Sequence, residues 1–301
     1  MYTKTFEVSE SPRITIEECK GNLSVKRGDV NQVTVHMAED EDALVFDQDG
    51  DVIILTAKDN CDILCPANSM LNIINARGNL KVKKIDGDVT IGAVKGNTDL
   101  RGVGAVTLDT VAGNLRVETG AGAVEANRIS GNTRVQNITG STKLGNLGGN
   151  LRAGGLMQGL VVVAVGGTAH LEPPFTPGET YQLTVGNNLV ISLPEEPNLS
   201  IELTVGGPVK TNVPDLVLSQ HGGNVTGLLG EGEAVIAATV GGSVVVRSAS
   251  DSDSEFGEDI NVNFAFDPES LAFLEELGPQ IEATVTKAMA HLDTHLAEGL
   301  K

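Results

Sequence analysis

Nine consecutive segments decide the fold: GNLKVKKID (78–86), GDVTIGAVK (87–95), GNTDLRGV (96–103), GAVTLDTVA (104–112), GNLRVETGA (113–121), GAVEANRIS (122–130), GNTRVQNIT (131–139), GSTKLGNLG (140–148) and GNLRAGGL (149–156). Each opens on glycine, and alternate segments open on Gly-Asn, at 78, 96, 113, 131 and 149. The unit is therefore about 18 residues built from two similar halves. Apolar side chains fall two, four and seven positions after the glycine, as in Leu80, Val82, Ile85 and Val89, Ile91, Val94. The first two share one face of a strand, and the third turns inward after a bend. No helix keeps those three positions on one stripe through nine units. Each strand is too short to bury its apolar face alone, so successive coils must stack.

The reading is an all-β chain: a single-stranded right-handed parallel β-helix, or β-solenoid, with a C-terminal amphipathic helix. Glycine is expected to supply positive φ at the corners, and the asparagines to stack their amides from coil to coil. Residues 1–77 read as a strand-rich start, with a hairpin turn at Asp47-Gln48-Asp49-Gly50-Asp51. Residues 78–160 form the regular part and 161–248 looser coils of the same solenoid. Residues 249–267 read as an acidic linker. In 268–301, Asp267 and Pro268 open a helix with an apolar stripe of Leu274, Leu277, Ile281, Val285, Leu292 and Leu296. That helix either caps the solenoid or joins subunits.

Composition narrows the function. Aromatic residues are 3% and tryptophan is absent, unlike the ring-lined pockets of most enzymes and sugar sites. The net charge of −19 disfavours wrapping nucleic acid. It is unevenly spread: residues 249–301 hold 12 acids and 2 bases, whereas 78–160 holds 10 bases and 6 acids. No apolar run suits a bilayer span, so no membrane insertion is expected. The opening MYTKTFEVSESPRITIEE has no apolar signal region, which points to the cytoplasm. Cys19, Cys61 and Cys65 are too few for a disulfide framework.

The residues resemble a bacterial family of candidate adhesins, the DUF4097-type β-helical repeat proteins. The resemblance rests on Cys65-Pro66 (where the family carries Val-Pro), on the serial G-N-L-x-V and G-x-V-x-I units, and on VGNNLVISLPE (185–195). It covers roughly residues 5–250. It implies a β-solenoid without assigned catalytic residues, and the adhesin description implies surface display.

Chemical motifs are sparse. The repeat lacks the aspartate series of calcium β-rolls, with Lys83, Glu118 and Gln136 standing where aspartate would be needed. His291 and His295 lie one helical turn apart, but HLDTH lacks the glutamate of a zinc protease and no third ligand stands out. Neither a nucleophile elbow nor a phosphate loop is present. No metal, cofactor or catalytic residue is expected. One surface feature stands out: the outward position three after each Gly-Asn glycine carries Lys81, Asp99, Arg116, Arg134 and Arg152. Stacking would place Arg116, Arg134 and Arg152 about 5 Å apart along the axis. This stripe reads either as a dock for an anionic polymer or the acidic tail, or as a solvated face neutralised by residues such as Glu118. The expected role is a non-catalytic scaffold that binds protein partners or itself. A surface adhesin or anionic-polymer binder is the alternative, and a polysaccharide-active β-helix enzyme the third reading.

Overall fold

A computed structural model of the chain describes residues 2–37, 41–214 and 216–249. The C-terminal helix, with Leu274, Leu277, Ile281, Val285, Leu292 and Leu296, lies outside the described residues, as does most of the acidic linker.

The strands begin with β1 (Tyr2–Glu7), β2 (Arg13–Cys19), β3 (Leu23–Arg27), β4 (Gln32–Met37), β5 (Leu44–Asp49), β6 (Val52–Ala57) and β7 (Cys61–Cys65). The regular part supplies β8 (Met70–Ala76), β9 (Leu80–Ile85), β10 (Val89–Val94), β11 (Thr98–Val103), β12 (Val106–Val111), β13 (Leu115–Gly120), β14 (Val124–Ile129), β15 (Thr133–Ile138), β16 (Thr142–Leu147), β17 (Leu151–Leu156) and β18 (Leu160–Val165). The remainder is β19 (Ala169–Phe175), β20 (Thr180–Val185), β21 (Leu189–Leu193), β22 (Leu199–Val205), β23 (Val209–Thr211), β24 (Val217–His221), β25 (Asn224–Leu229), β26 (Ala234–Val240) and β27 (Val244–Ser248).

From β8 to β21 successive strands enter two sheets alternately, odd strands in sheet I and even strands in sheet II. Neighbours within each sheet are parallel and one coil apart, so Leu80, Thr98, Leu115, Thr133 and Leu151 form one inward column. Val89, Val106, Val124, Thr142 and Leu160 form the facing column. The apolar residues at two, four and seven after each glycine are buried, and the core is a continuous aliphatic stack. Two consecutive residues face outward before the last inward one, which marks a bend within each strand. In sheet I this bend falls on a left-handed residue in five successive strands: Lys84, Gly102, Thr119, Asn137 and Gly155.

The corner glycines differ from expectation. Those of the Gly-Asn pairs are absent from the positive-φ residues. They are glycine because the coils touch there: a Cβ on Gly78, Gly96, Gly113, Gly131 or Gly149 would lie 2.5–2.7 Å from the carbonyl oxygen of the glycine one coil earlier. The asparagines beside them form a ladder. Each side-chain oxygen accepts the backbone N–H of the next coil, at 2.8 Å for Asn97 onto Asn79 and 2.9 Å for Asn114 onto Asn97. The ladder runs from Asn60 through Asn22, Asn79, Asn97, Asn114, Asn132 and Asn150 to Thr168.

The ends are not simple continuations. The chain overshoots and returns, so coil β26–β27 inserts between β20–β21 and β22–β23. At the other end β2–β3 lies between β6–β7 and β8–β9. Antiparallel pairings cover both ends: β1, β4 and β5 at one, and β24 with β25 at the other. The purely parallel, single-stranded expectation therefore holds for the middle and gives way at the ends, where an open coil edge would expose unpaired backbone. Phe6 and Phe46 plug the first end edge to face at 5.2 Å, with the Lys4 ammonium 4.6 Å from the Phe46 ring.

Candidate binding face

Outward residues of sheet I and sheet II differ in charge. In β9, β11, β13, β15, β17 and β19 they include Lys81, Lys83, Lys84, Arg101, Arg116, Arg134 and Arg152 against Asp99, Glu118 and Glu172, seven cations to three carboxylates, net +4. In β8, β10, β12, β14, β16 and β18 they include Arg128 and Lys143 against Asp109 and Glu125, net zero. One face of the solenoid is cationic although the whole chain is strongly acidic.

The stripe foreseen in the repeat is a register row. Lys81 pairs in register with Asp99, Asp99 with Arg116, Arg116 with Arg134, Arg134 with Arg152, and Arg152 with His170. A second row two residues along the strands brings together Lys83, Arg101, Glu118, Gln136, Gly154 and Glu172. The rows are cross-linked. The Arg101 Nε donates to Asp99 at 2.7 Å, and the Arg116 Nη2 to Glu118 at 2.5 Å. Glu118 also lies 3.8 Å from Arg101 and 3.7 Å from Arg134, so one carboxylate serves three coils. The Arg134 Nε and Nη2 donate to the Gln136 Oε1, whose amide donates to Glu172 at 3.0 Å. Glu172 in turn pairs with Arg152 at 2.5 Å. Local neutralisation is thus real but incomplete. Lys83 is held below its usual pKa, first by desolvation and then by the charges of Lys81 and Arg101. The Arg101 guanidinium is held above its usual value, first by its hydrogen bond to Asp99.

A shallow groove runs between the asparagine ladder and the arginine row, along Asn114, Asn132 and Asn150 on one side and Arg116, Arg134 and Arg152 on the other. The ladder fixes each of these amides: the oxygen is used by the next coil, so the NH₂ is left as a donor without a partner among the described residues. Sequence reading found the arginines and assigned the asparagines to structure alone. The constant offset of two residues between them, which puts each asparagine at the turn just before its strand and on the same outward side as the arginine, was the available signal.

The other sequence candidates do not join this face. Cys19, Cys61 and Cys65 are buried in the first coils, and desolvation pushes their thiols up to about 11, 12 and 11. Among the described residues no group of three or more His, Cys, Asp or Glu could hold a metal ion. Nor does any described helix have the length and apolar character to cross a membrane. His291 and His295 lie outside the described residues.

Fold and face together define a two-sheet parallel β-solenoid with one cationic outer surface. No family model matches the chain, and no curated protein matches it. The crystal structure of a candidate cell adhesion protein from Clostridium sporogenes ATCC 15579 is similar over 82% of this chain and 99% of that one, with 11% identity and a TM-score of 0.21.

Proposed function

We propose that this chain is a non-catalytic interaction scaffold whose working surface is the outer face of sheet I, engaging an anionic partner. The observation that carries the reading is the contrast between the faces, net +4 on sheet I against net zero on the corresponding strands of sheet II. A rigid stack of parallel strands holds these charges at one spacing over many rungs, which favours an extended partner over a small molecule. Retention on immobilised anionic polymers tests it. Reversing Arg116 and Arg134 to Glu should abolish retention, while reversing Arg128 and Lys143 on the other face should not. Equal behaviour of the two variants would end the reading.

Self-association is a second reading, favoured by one edge. Strand β24 closes sheet II with the uncharged sequence Val217–His221, and Val217 is 80% exposed beside Leu228 at 59%. Edge strands are usually guarded by charge, and this one is not. Val217→Lys should convert concentration-dependent oligomers to monomers in sedimentation. A wild-type chain that stays monomeric at every concentration would remove this reading.

A further inference from the structure

Resting on the cationic-face reading, we propose that the groove between the asparagine ladder and the arginine row binds a linear acidic polysaccharide, one carboxylated sugar per rung, laid along the solenoid axis. Three features of the groove select this occupant. The first is composition: every rung from Asn114 to Arg152 offers a neutral amide NH₂ on one wall and a guanidinium on the other. A uronic acid residue carries the matching pair, hydroxyl acceptors and a carboxylate. The second is period. Rungs are spaced about 4.8 Å apart, close to the length of one pyranose unit. Measured by the same advance per unit, a strand of duplex nucleic acid moves about 3.4 Å per phosphate along the axis and an extended acidic peptide about 3.3 Å per residue. Both fall out of step within the groove. The third is preorganisation: the arginines are already fixed by Glu118, Gln136 and Glu172, so little side-chain freedom is lost on binding. Those pairings occupy part of each guanidinium, which has five N–H donors in all.

The row also limits length. Arg116, Arg134 and Arg152 continue to His170 at one end, while Asp99 stands in register beyond Arg116 and would repel a carboxylate at the other. The groove therefore holds a short run of sugars.

The test is titration of the full chain with oligogalacturonates of increasing length, from disaccharide to octasaccharide, by calorimetry. Affinity should climb with each added sugar and level off by about the tetrasaccharide. Arg134→Gln should weaken the tetrasaccharide about tenfold, roughly the loss of one charge-assisted hydrogen bond. Asp99→Lys should move the plateau to longer oligomers and strengthen binding, a gain that a merely misfolded variant cannot produce. Polyphosphate or poly-aspartate binding as tightly as the uronates would overturn the commensurate groove while leaving the cationic face intact. A plateau unmoved by Asp99→Lys would also overturn it. No binding of any polyanion would overturn both this inference and the reading beneath it.

Discussion

At the scale of single residues, two glycines only six positions apart are demanded by different forces. A Cβ on Gly96 would lie 2.6 Å from the Gly78 carbonyl oxygen, whereas Gly102 has φ +62 and its Cβ would meet nothing closer than 3.8 Å. Gly96→Ala should therefore cost about 3 kcal/mol through forced separation of coils. Gly102→Ala should cost about 1 kcal/mol through backbone conformation alone. Urea melts of the two variants check the order, and equal losses would contradict it. Thr98, Thr133 and Thr142 stand in columns otherwise aliphatic, and their buried hydroxyls find no partner among the described residues. Replacing any of them by valine should stabilise the fold by about 1 kcal/mol, because a desolvated, unpaired hydroxyl is removed at nearly constant shape. The buried thiols set an alkaline limit. Their ordinary value is 9.0, and burial raises Cys19 and Cys65 to about 11 and Cys61 to about 12. Above pH 9 the unfolded chain releases these protons and the folded chain does not, so stability falls as pH rises from about 9 to 12. Cys61→Ala should flatten that fall in pH-dependent denaturation curves; an unchanged slope would mean other groups dominate.

At the scale of elements, the half-repeat sends successive strands to opposite sheets, and this makes deletions sharply length-dependent. Removing residues 113–130, one full coil, joins Ala112 to Gly131 and returns every later strand to its own sheet. The protein should remain folded and cooperative. Removing only 113–121 exchanges the sheets for everything downstream and sets the arginine row against sheet II, so no folded protein should be recovered. Circular dichroism with thermal melts reads both outcomes. This alternation was legible in the sequence because glycines recur every eight or nine residues from Gly78 to Gly149 and the two-four-seven positions are mostly apolar, with threonine or glycine at only a few of them. The corner chemistry was only half legible. The asparagine ladder follows from the five Gly-Asn pairs, but spacing alone cannot distinguish a glycine that needs positive φ from one that needs contact. The left-handed bends at Lys84, Thr119 and Asn137 left no mark at all, since none of them is glycine. The arginine row was legible as an offset. Of its cross-links, the Glu118 pairing was legible with it, whereas the bond from Gln136 to Glu172 spans two coils and follows only from the register of β15, β17 and β19.

At the scale of the whole molecule, the charge of one face runs against the charge of the chain. Cations gather on one sheet of a chain whose net charge is −19, so a polyanion drawn to that face, as proposed, would be held locally and against a repulsive long-range field. Binding to the sheet I face should weaken with salt less steeply than its seven cations alone would suggest, because added salt also screens that repulsion. A salt series of polymer retention measures this, and a steep loss would show that the body's negative field plays no part. The return of β26–β27 into the stack was not foreseeable from the repeat, since this coil resembles any other in sequence and reaches its place only after the chain has passed it, whereas the antiparallel β5–β6 pair was announced by the turn Asp47-Gln48-Asp49-Gly50-Asp51.

That return path fixes how such a molecule can change size. The coils β2–β3 and β26–β27 both lie inside the stack, covered by β6–β7 and by β22–β23, while β1 returns to the outer edge of sheet I. A change of length that keeps both covered ends intact adds or removes whole coils between β8 and β21, where successive strands alternate between the sheets. Such insertions would lengthen the stack between two unchanged ends, along the face that carries the arginine row.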